Sequence, residues 1–369
     1  MNKILLISNM YPSNRYPQYG IFVKNTANLL KNGGYTVTVC AMPKCDTFAD
    51  KIWHYMLLYS KSIFLGMFGN YKCVYAHFVS HTAIPVMILK KIHKNLIVVE
   101  NAHGNDVVAD TAQDLKNIER SRQVLKIADW TIVPSDYYKK VVATTFSVLQ
   151  NRIFVSPSGG VNPTNFVPMD QKKAREKASL NQDCFWIGYI SRIETGKGWD
   201  TFLQGCTQLV EAETIPNLRI LIVGSGTEKE TMLQLAQKSG LEPYIEYRNF
   251  VPQEDLKYYY NALDVFCFPS NRKSESLGLV GLEAMACGTL CVCSDAEGIK
   301  TYAKNNKNCL MFERENAKQL ANQLLAAYQM KEDEKRRIRN NALATASQYS
   351  TSNIEKALLD FFDKKVMLS

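Results

Sequence analysis

Residues 3–41 read KILLISNMYPSNRYPQYGIFVKNTANLLKNGGYTVTVCA. Lys3–Ser8 is a short apolar run ended by a Pro-containing loop, Asn9–Tyr19, and reads as a buried strand. At Gly20 the period changes: Ile21, Phe22, Thr26, Leu29 and Leu30 fall on one face of a helix. Gly33 and Gly34 stop that helix, and Tyr35–Ala41 is a second strand. Strand, helix and strand in this order form a β-α-β unit, whose strands lie parallel.

The same alternation continues along the chain. Strands are expected at Cys73–Ala76, Leu96–Asn101, Trp130–Pro134 and Ile153–Ser156, with helices between them. From Pro157 to Pro168 the pattern breaks into Pro, Ser, Gly and Asn, the composition of a linker. A second set follows at Phe185–Ile190, Leu218–Val223, Ile245–Phe250, Val265–Pro269, Leu290–Ser294 and Cys309–Met311. Asn353–Val366 closes the chain as an amphipathic helix. The expectation is an α/β protein of two doubly wound, Rossmann-like domains facing a cleft, residues 1–165 and 166–350, with helix 353–366 packing back on the first. In such sheets ligands bind beyond the C-terminal ends of the strands.

A chain of 369 residues is long enough for two cores. With 46% hydrophobic and 21% charged residues it has an ordinary globular balance, and no low-complexity tract or fixed-period repeat interrupts it. The N-terminus has no small-residue cleavage site, and no stretch of ~18 uncharged apolar residues occurs. A cytoplasmic protein without leader or membrane span is expected. The ten cysteines form no C-x-x-C pair, and His54, His77, His81, His93 and His103 show no zinc-ligand spacing. Reduced thiols and no metal site follow. The net charge is +9, and its distribution is uneven. Residues 1–165 hold 18 Lys and Arg against 9 Asp and Glu, which leaves 26 of each sign in the remainder. Either this half meets an anionic surface or substrate, or it carries a solvated basic face.

The segment richest in chemistry is Ser274–Gly288, SESLGLVGLEAMACG. Glu275 and Glu283 have seven residues between them, Leu279, Leu282 and Met285 supply an apolar helix face, and Gly288 ends the helix. Glu275 therefore precedes the helix and Glu283 lies on its second turn. The first-turn N–H groups near Gly278 and Leu279 suit an anion. A phosphate there leaves Glu283 within reach of a ribose, whose hydroxyls suit a carboxylate. Alone, the spacing describes equally well a surface helix.

These residues, in an E-x-x-G-L-x-x-x-E-A-M-A-x-G context, resemble the signature of glycosyltransferase family 4, retaining enzymes of the GT-B fold. The likeness extends over most of the chain. Ile190–Gly198 is similar to the family's G-R-x(3–6)-K-G loop, and the resemblance gives Arg192 and Lys197 the role of neutralising a donor diphosphate. Val223-Gly224-Ser225-Gly226 resembles the family's V-G-x-G turn, and Ser156–Asn162, with Phe166 and Pro168, its interdomain segment. In the first half, Glu100–Asp106 resembles H-G-x-D, which implies His103 beside the donor sugar; Asp106 can also cap the following helix. Gly20 matches the family's Gly-rich loop near the donor phosphates. Three positions depart from the pattern: Ser191 and Tyr19 stand where Gly is usual, and Thr301 stands where many members carry a Glu that bears on sugar choice. No D-x-D motif lies at a plausible strand end, in keeping with Arg192, Lys197 and helix N-termini replacing a divalent metal.

The resemblance implies a retaining, metal-independent transfer from a UDP- or GDP-sugar to a saccharide or lipid-linked acceptor, in surface polysaccharide or glycolipid synthesis. His103, Glu275, Arg192 and Lys197 would be catalytic. Gly20, Arg192, Lys197, Gly224, Glu275, Gly278, Leu279 and Glu283 would bind the donor. No cofactor and no nucleic acid is expected. Lys51–Lys72, KIWHYMLLYSKSIFLGMFGNYK, mixes Lys with Trp, Tyr and Phe. With Lys90, Lys91 and Lys94 it suits peripheral contact with an anionic membrane at the inner face of the cell, or else is a core helix and loop. Two other classes compete. A dehydrogenase should show G-x-G-x-x-G after a first strand, which neither half does. A catalytically inactive nucleotide-sugar-binding protein is opposed by the retained Arg192, Lys197, Glu275 and Glu283.

Overall fold

The computed structural model describes residues 2–368. The elements alternate throughout. The first set is β1 (Lys3–Ser8), α1 (Ile21–Asn32), β2 (Thr36–Ala41), α2 (Phe48–Phe68), β3 (Cys73–His77), α3 (Val79–Ile92), β4 (Ile97–Asn101), α4 (Ala112–Leu125), β5 (Trp130–Val133), α5 (Asp136–Thr145) and β6 (Ile153–Val155). The second is α6 (Gln171–Ala178), β7 (Phe185–Ile190), α7 (Trp199–Glu211), β8 (Leu218–Val223), α8 (Lys229–Lys238), β9 (Ile245–Arg248), α9 (Leu256–Ala262), β10 (Val265–Phe268), α10 (Leu279–Ala286), β11 (Leu290–Ser294), α11 (Glu297–Lys300), β12 (Leu310–Phe312), α12 (Ala317–Gln329), α13 (Glu332–Gln348) and α14 (Thr351–Phe361). Each set builds one six-stranded sheet, in the orders β2-β1-β3-β4-β5-β6 and β12-β11-β10-β7-β8-β9, and every strand pair is parallel.

Parallel sheets are covered by helices on both faces, so their strands read as unbroken apolar runs. β1 shows this: Ile4, Leu5, Leu6 and Ile7 are all fully buried, Leu5 and Ile7 in one hydrophobic cluster, Ile4 and Leu6 in the other. Several strands stop short of the expected end at a proline. Pro134 and Pro269 follow β5 and β10, and Pro157 lies two residues beyond β6, where a missing N–H cannot extend the ladder.

The chain forms two compact units, Met1–Gly159 with Ser352–Ser369, and Gly160–Thr351. The crossing falls at two glycines with positive φ, 90° and 72°. In the first unit the C-terminal segment completes the core. Leu358, Phe361, Phe362 and Val366 pack with Ile4, Val23 and Tyr75, and Phe361 stacks on Phe154 with centroids 4.3 Å apart. Each sheet has one switch point, where strand order reverses: between β1 and β3 in the first unit, between β7 and β10 in the second. The loops after these strands carry most of the residues of interest.

Helix α2 is not a core helix. Only Leu58, Ser62 and Gly66 are buried along its length, and Gly66 admits Leu89 so closely that a Cβ would meet its Cδ2 at 2.4 Å. Phe48, Trp53, Phe64 and Phe68 are exposed by 79%, 56%, 63% and 69%. No helix among the described residues is long and apolar enough to cross a membrane.

Candidate functional site

In the second unit two loops meet at the switch point. The loop after β7 runs from Ser191 to Gly198, and the segment after β10 from Pro269 to Gly278. Their backbones lie so close that Gly198, at φ 72°, could carry no side chain: a Cβ would stand 1.9 Å from the Pro269 carbonyl. This contact places Lys197 beside Glu275. The Lys197 Nζ donates to Glu275 Oε2 at 2.8 Å, and the Ser270 hydroxyl donates to the same oxygen at 2.7 Å. Both ends of the ion pair are nearly buried, with 12% and 9% of their side chains exposed. Burial opposes ionisation of Glu275, but the Lys197 charge and hydrogen bond, with that of Ser270, outweigh it and hold the carboxyl below its usual range.

Gly224 serves the same loop. Ser191 N–H donates to Val223 O, and a Cβ on Gly224 would lie 1.9 Å from Ser191 O. The V-G-S-G turn therefore lets β8 support the Arg192 loop from beneath. Arg192 itself pairs with Glu194 at 2.9 Å and is 62% exposed, so its guanidinium is a solvated charge rather than part of the buried pair. Gly278, at φ 80°, opens α10 with no capping side chain, and its Cβ position is occupied by Phe268. The helix thus begins, with Leu279 at its first position, as an uncapped N-terminus three residues beyond Glu275. Gly298 packs on the Glu275 carbonyl, 2.0 Å from where a Cβ would be, which leaves Thr301 one helical turn away; its hydroxyl finds no partner among the described residues.

Glu283 lies on the second turn of α10 and is buried. It is held differently from Glu275: Gln253 Nε2 and Tyr260 OH donate to its two oxygens, each at 3.0 Å. Among the described residues no cation pairs with it, so burial pushes its carboxyl up to about 7, while the two hydrogen bonds pull the other way.

In the first unit, Gly20 and His103 come together through Phe22. Gly20 caps α1 at φ 70° and packs on the Met10–Tyr11 backbone, where a Cβ would meet Met10 C at 2.6 Å. Phe22, two residues on, lies 4.9 Å from the His103 ring. His103 also contacts Phe78 and stacks on His77 at 5.2 Å. His77 Nδ1 and His103 Nε2 are 3.0 Å apart, and burial drops the His103 pKa to about 3, so the two rings are neutral and share one proton. His77 Nε2 is buried without a partner among the described residues. With the shared proton on His77 Nδ1, His77 Nε2 is a bare acceptor rather than an unpaired N–H, and His103 carries its own proton on Nδ1. Asp106 does not cap the following helix; Thr111 does that. Its carboxylate instead accepts from the N–H groups of His103, Gly104 and Val79, tying the His103 loop to the start of α3.

Sequence reasoning missed His77, Ser270, Gln253 and Tyr260. His77 and Ser270 stand at or just beyond the ends of the strands that flank the switch points, which was the available signal. Gln253 and Tyr260 reach Glu283 across 30 and 23 residues, and nothing local marks them. Among the described residues one group of three potential metal ligands lies close together, Cys45, Asp50 and His54, at the start of α2.

Known proteins match this arrangement. Residues 170–344 match the family model of glycosyl transferases group 1. A D-inositol 3-phosphate glycosyltransferase of Kribbella flavida is 30% identical over 189 residues, 48% of this chain and 43% of that protein. One from Nocardioides sp. is 27% identical over 316 residues, covering 80% of this chain and 67% of that protein. The chain spans about half the length of most such curated relatives it matches. Among solved structures, sucrose-phosphate synthase from Thermosynechococcus elongatus superposes with a TM-score of 0.83 at 19% identity, covering 100% of both chains. Anabaena HepE in complex with UDP gives 0.75 at 17% identity over 99% of this chain and 100% of that one. The chain therefore has the GT-B fold, and residues 170–344, which hold the Lys197–Glu275 pair and Glu283, are similar to glycosyl transferases group 1.

Proposed function

We propose that this protein is a retaining, metal-independent glycosyltransferase that moves a sugar from a UDP- or GDP-sugar to a saccharide or lipid-linked acceptor, in surface polysaccharide or glycolipid synthesis. The observation that carries the reading is the buried Lys197–Glu275 pair beside the uncapped start of α10. A fixed cation and a helix N-terminus at a switch point suit a diphosphate, whose negative charge grows as the sugar leaves. Lys197 meets that charge, Arg192 supplements it from solvent, and Glu283 accepts from the ribose. Glu275 and the amides at Gly278–Leu279 orient the sugar, and the resemblance also gives His103 a place beside it. The C1–phosphate bond breaks, the acceptor oxygen bonds C1 on the same face, and the departing phosphate oxygen takes the acceptor's proton.

The first unit is the acceptor domain in this reading, and the second is the nucleotide-sugar domain. The exposed apolar face of α2, with Lys51, Lys61, Lys91 and Lys94 also exposed, supports peripheral contact with an anionic membrane that carries the acceptor. Relatives named for D-inositol 3-phosphate favour a second acceptor class, a soluble anionic one, which the basic first half would also attract. The test is calorimetry against UDP- and GDP-sugars in EDTA, followed by transfer and determination of the product anomer. Binding and turnover in EDTA with retained configuration are expected. Activity that requires Mn²⁺ or Mg²⁺, or an inverted product, would overturn the mechanism.

A further inference from the structure

We propose that Cys45, Asp50 and His54 bind one zinc-like divalent cation at the start of α2. One ligand atom from each residue lies within 4.8 Å of the others, and all three side chains are half-buried. The spacing, C-x4-D-x3-H, matches no common zinc pattern, but the backbone explains it. Asp50 and His54 are i and i+4 on α2 and share a face. The Thr47 hydroxyl accepts from Asp50 N–H at 3.1 Å, which fixes the first turn. Cys45 stands two residues before that cap, in the irregular segment after β2, with its sulfur 3.6 Å from the Pro43 carbonyl.

The His54 ring and the Asp50 carboxylate are already in contact, Nδ1 to Oδ1 at 2.8 Å. A cation would take the place of the proton they share. Tetrahedral zinc, with bonds of about 2.0 Å to N and O and 2.3 Å to S, spaces its ligand atoms by roughly 3.3–3.6 Å. The Nδ1–Oδ1 pair at 2.8 Å needs to open by about 0.5 Å to admit the ion, and the Cys45 sulfur, within 4.8 Å of both, can adjust with the Met42–Asp46 segment, which lies outside any helix or strand. A thiolate and an imidazole select a borderline-soft ion such as Zn²⁺ over Mg²⁺ or Ca²⁺. Three protein ligands leave a fourth position for water. The next residue, Asp46, accepts from Arg15 at 2.6 Å and from the Tyr16 hydroxyl. A cation held by Cys45 would therefore also stiffen the Asn9–Gly20 loop that leads to α1.

The test of this site reads metal binding alone. The full-length reduced protein is stripped of metal with chelator and titrated with Co²⁺. One cobalt per chain is expected, with a thiolate-to-cobalt charge-transfer band and the d–d pattern of tetrahedral cobalt, displaced by Zn²⁺ and not by Mg²⁺. Cys45→Ser should abolish the band, and His54→Gln should weaken binding at least about tenfold. Cys184→Ser, at the only other half-buried cysteine, should change neither. Absence of the charge-transfer band in the wild type, or the same band in Cys45→Ser, overturns the proposal and leaves Asp50–His54 an ordinary helix pair.

Discussion

Replacing Glu283 with Gln should make the protein more stable at about pH 8 while weakening its hold on the donor. The carboxyl is 7% exposed and has no cation beside it, and its pKa rises from 4.5 to about 7. The folded state therefore keeps this proton at pH values where the unfolded chain has released it. Stability falls as pH rises from about 4.5 to about 7 and levels off above that, and a rise of this size corresponds to roughly 3 kcal/mol. Gln keeps the shape: its amide oxygen accepts from Tyr260, its NH2 faces Gln253, whose own amide can turn its oxygen to accept, and it has no proton to lose. The unfolding free energy of Glu283→Gln minus that of wild type should thus grow by roughly 3 kcal/mol between about pH 4.5 and pH 8. Urea unfolding followed by fluorescence measures it, since Trp186 is buried in the unit that holds Glu283. A difference that is flat with pH, or that shrinks as pH rises, would refute the claim that burial dominates this carboxyl. The same substitution removes the charged acceptor proposed for the ribose and should weaken donor binding by roughly 1.5–3 kcal/mol. Calorimetry that finds donor affinity unchanged would sink the ribose role and leave the stability argument standing.

Lys197→Ala should destabilise the protein by roughly 3 kcal/mol, because it strands the buried Glu275 charge; Lys197→Met with Glu275→Gln should recover most of that stability but not turnover. Recovery of turnover in the double variant would remove Lys197 from the transfer step. Arg192→Ala, on an exposed side chain, should lower kcat with little change in unfolding. His77→Phe should lower kcat about tenfold by freeing the His103 ring, with unfolding unchanged or improved because His77 Nε2 has no partner; His77→Asn, whose amide stands near the Nδ1 position, should restore most of the rate. Equal rates for Phe and wild type would make the histidine contact incidental. The wild type should sediment with anionic and not with neutral liposomes, and Lys51, Lys61 and Lys91 changed to Gln should weaken binding by roughly 3 kcal/mol, and changed to Glu by more. Lys72 is left out of that set because its ammonium donates to the Met367 carbonyl and holds the C-terminal segment. A wild type that stays in the supernatant at low salt would favour the soluble anionic acceptor.

The sequence carries the fold strongly because parallel strands buried on both faces leave no ambiguity of period. Phe185–Ile190, Leu218–Val223 and Leu290–Ser294 stand in the structure with the limits their apolar runs imply, while β5 and β10 end one residue early where a proline removes the next ladder bond, and β9 ends at Arg248, two residues before Phe250. Motif glycines were legible as residues but not as reasons. Gly198, Gly224 and Gly298 are each present because a carbonyl about 2 Å from the missing Cβ belongs to a different loop, at Pro269, Ser191 and Glu275. Contacts of this kind are invisible along the chain, and they bring Lys197 onto Glu275 across 78 residues. The two glutamates illustrate the remaining gap. Their spacing sets them on different turns but says nothing of their charge: Lys197 and Ser270 keep one ionised, while burial without a cation leaves the other near its midpoint at neutral pH. In the proposed reaction, an acceptor of fixed charge beside the sugar and one of adjustable protonation beside the ribose would be different tools. The difference resides in partners that no local pattern announces.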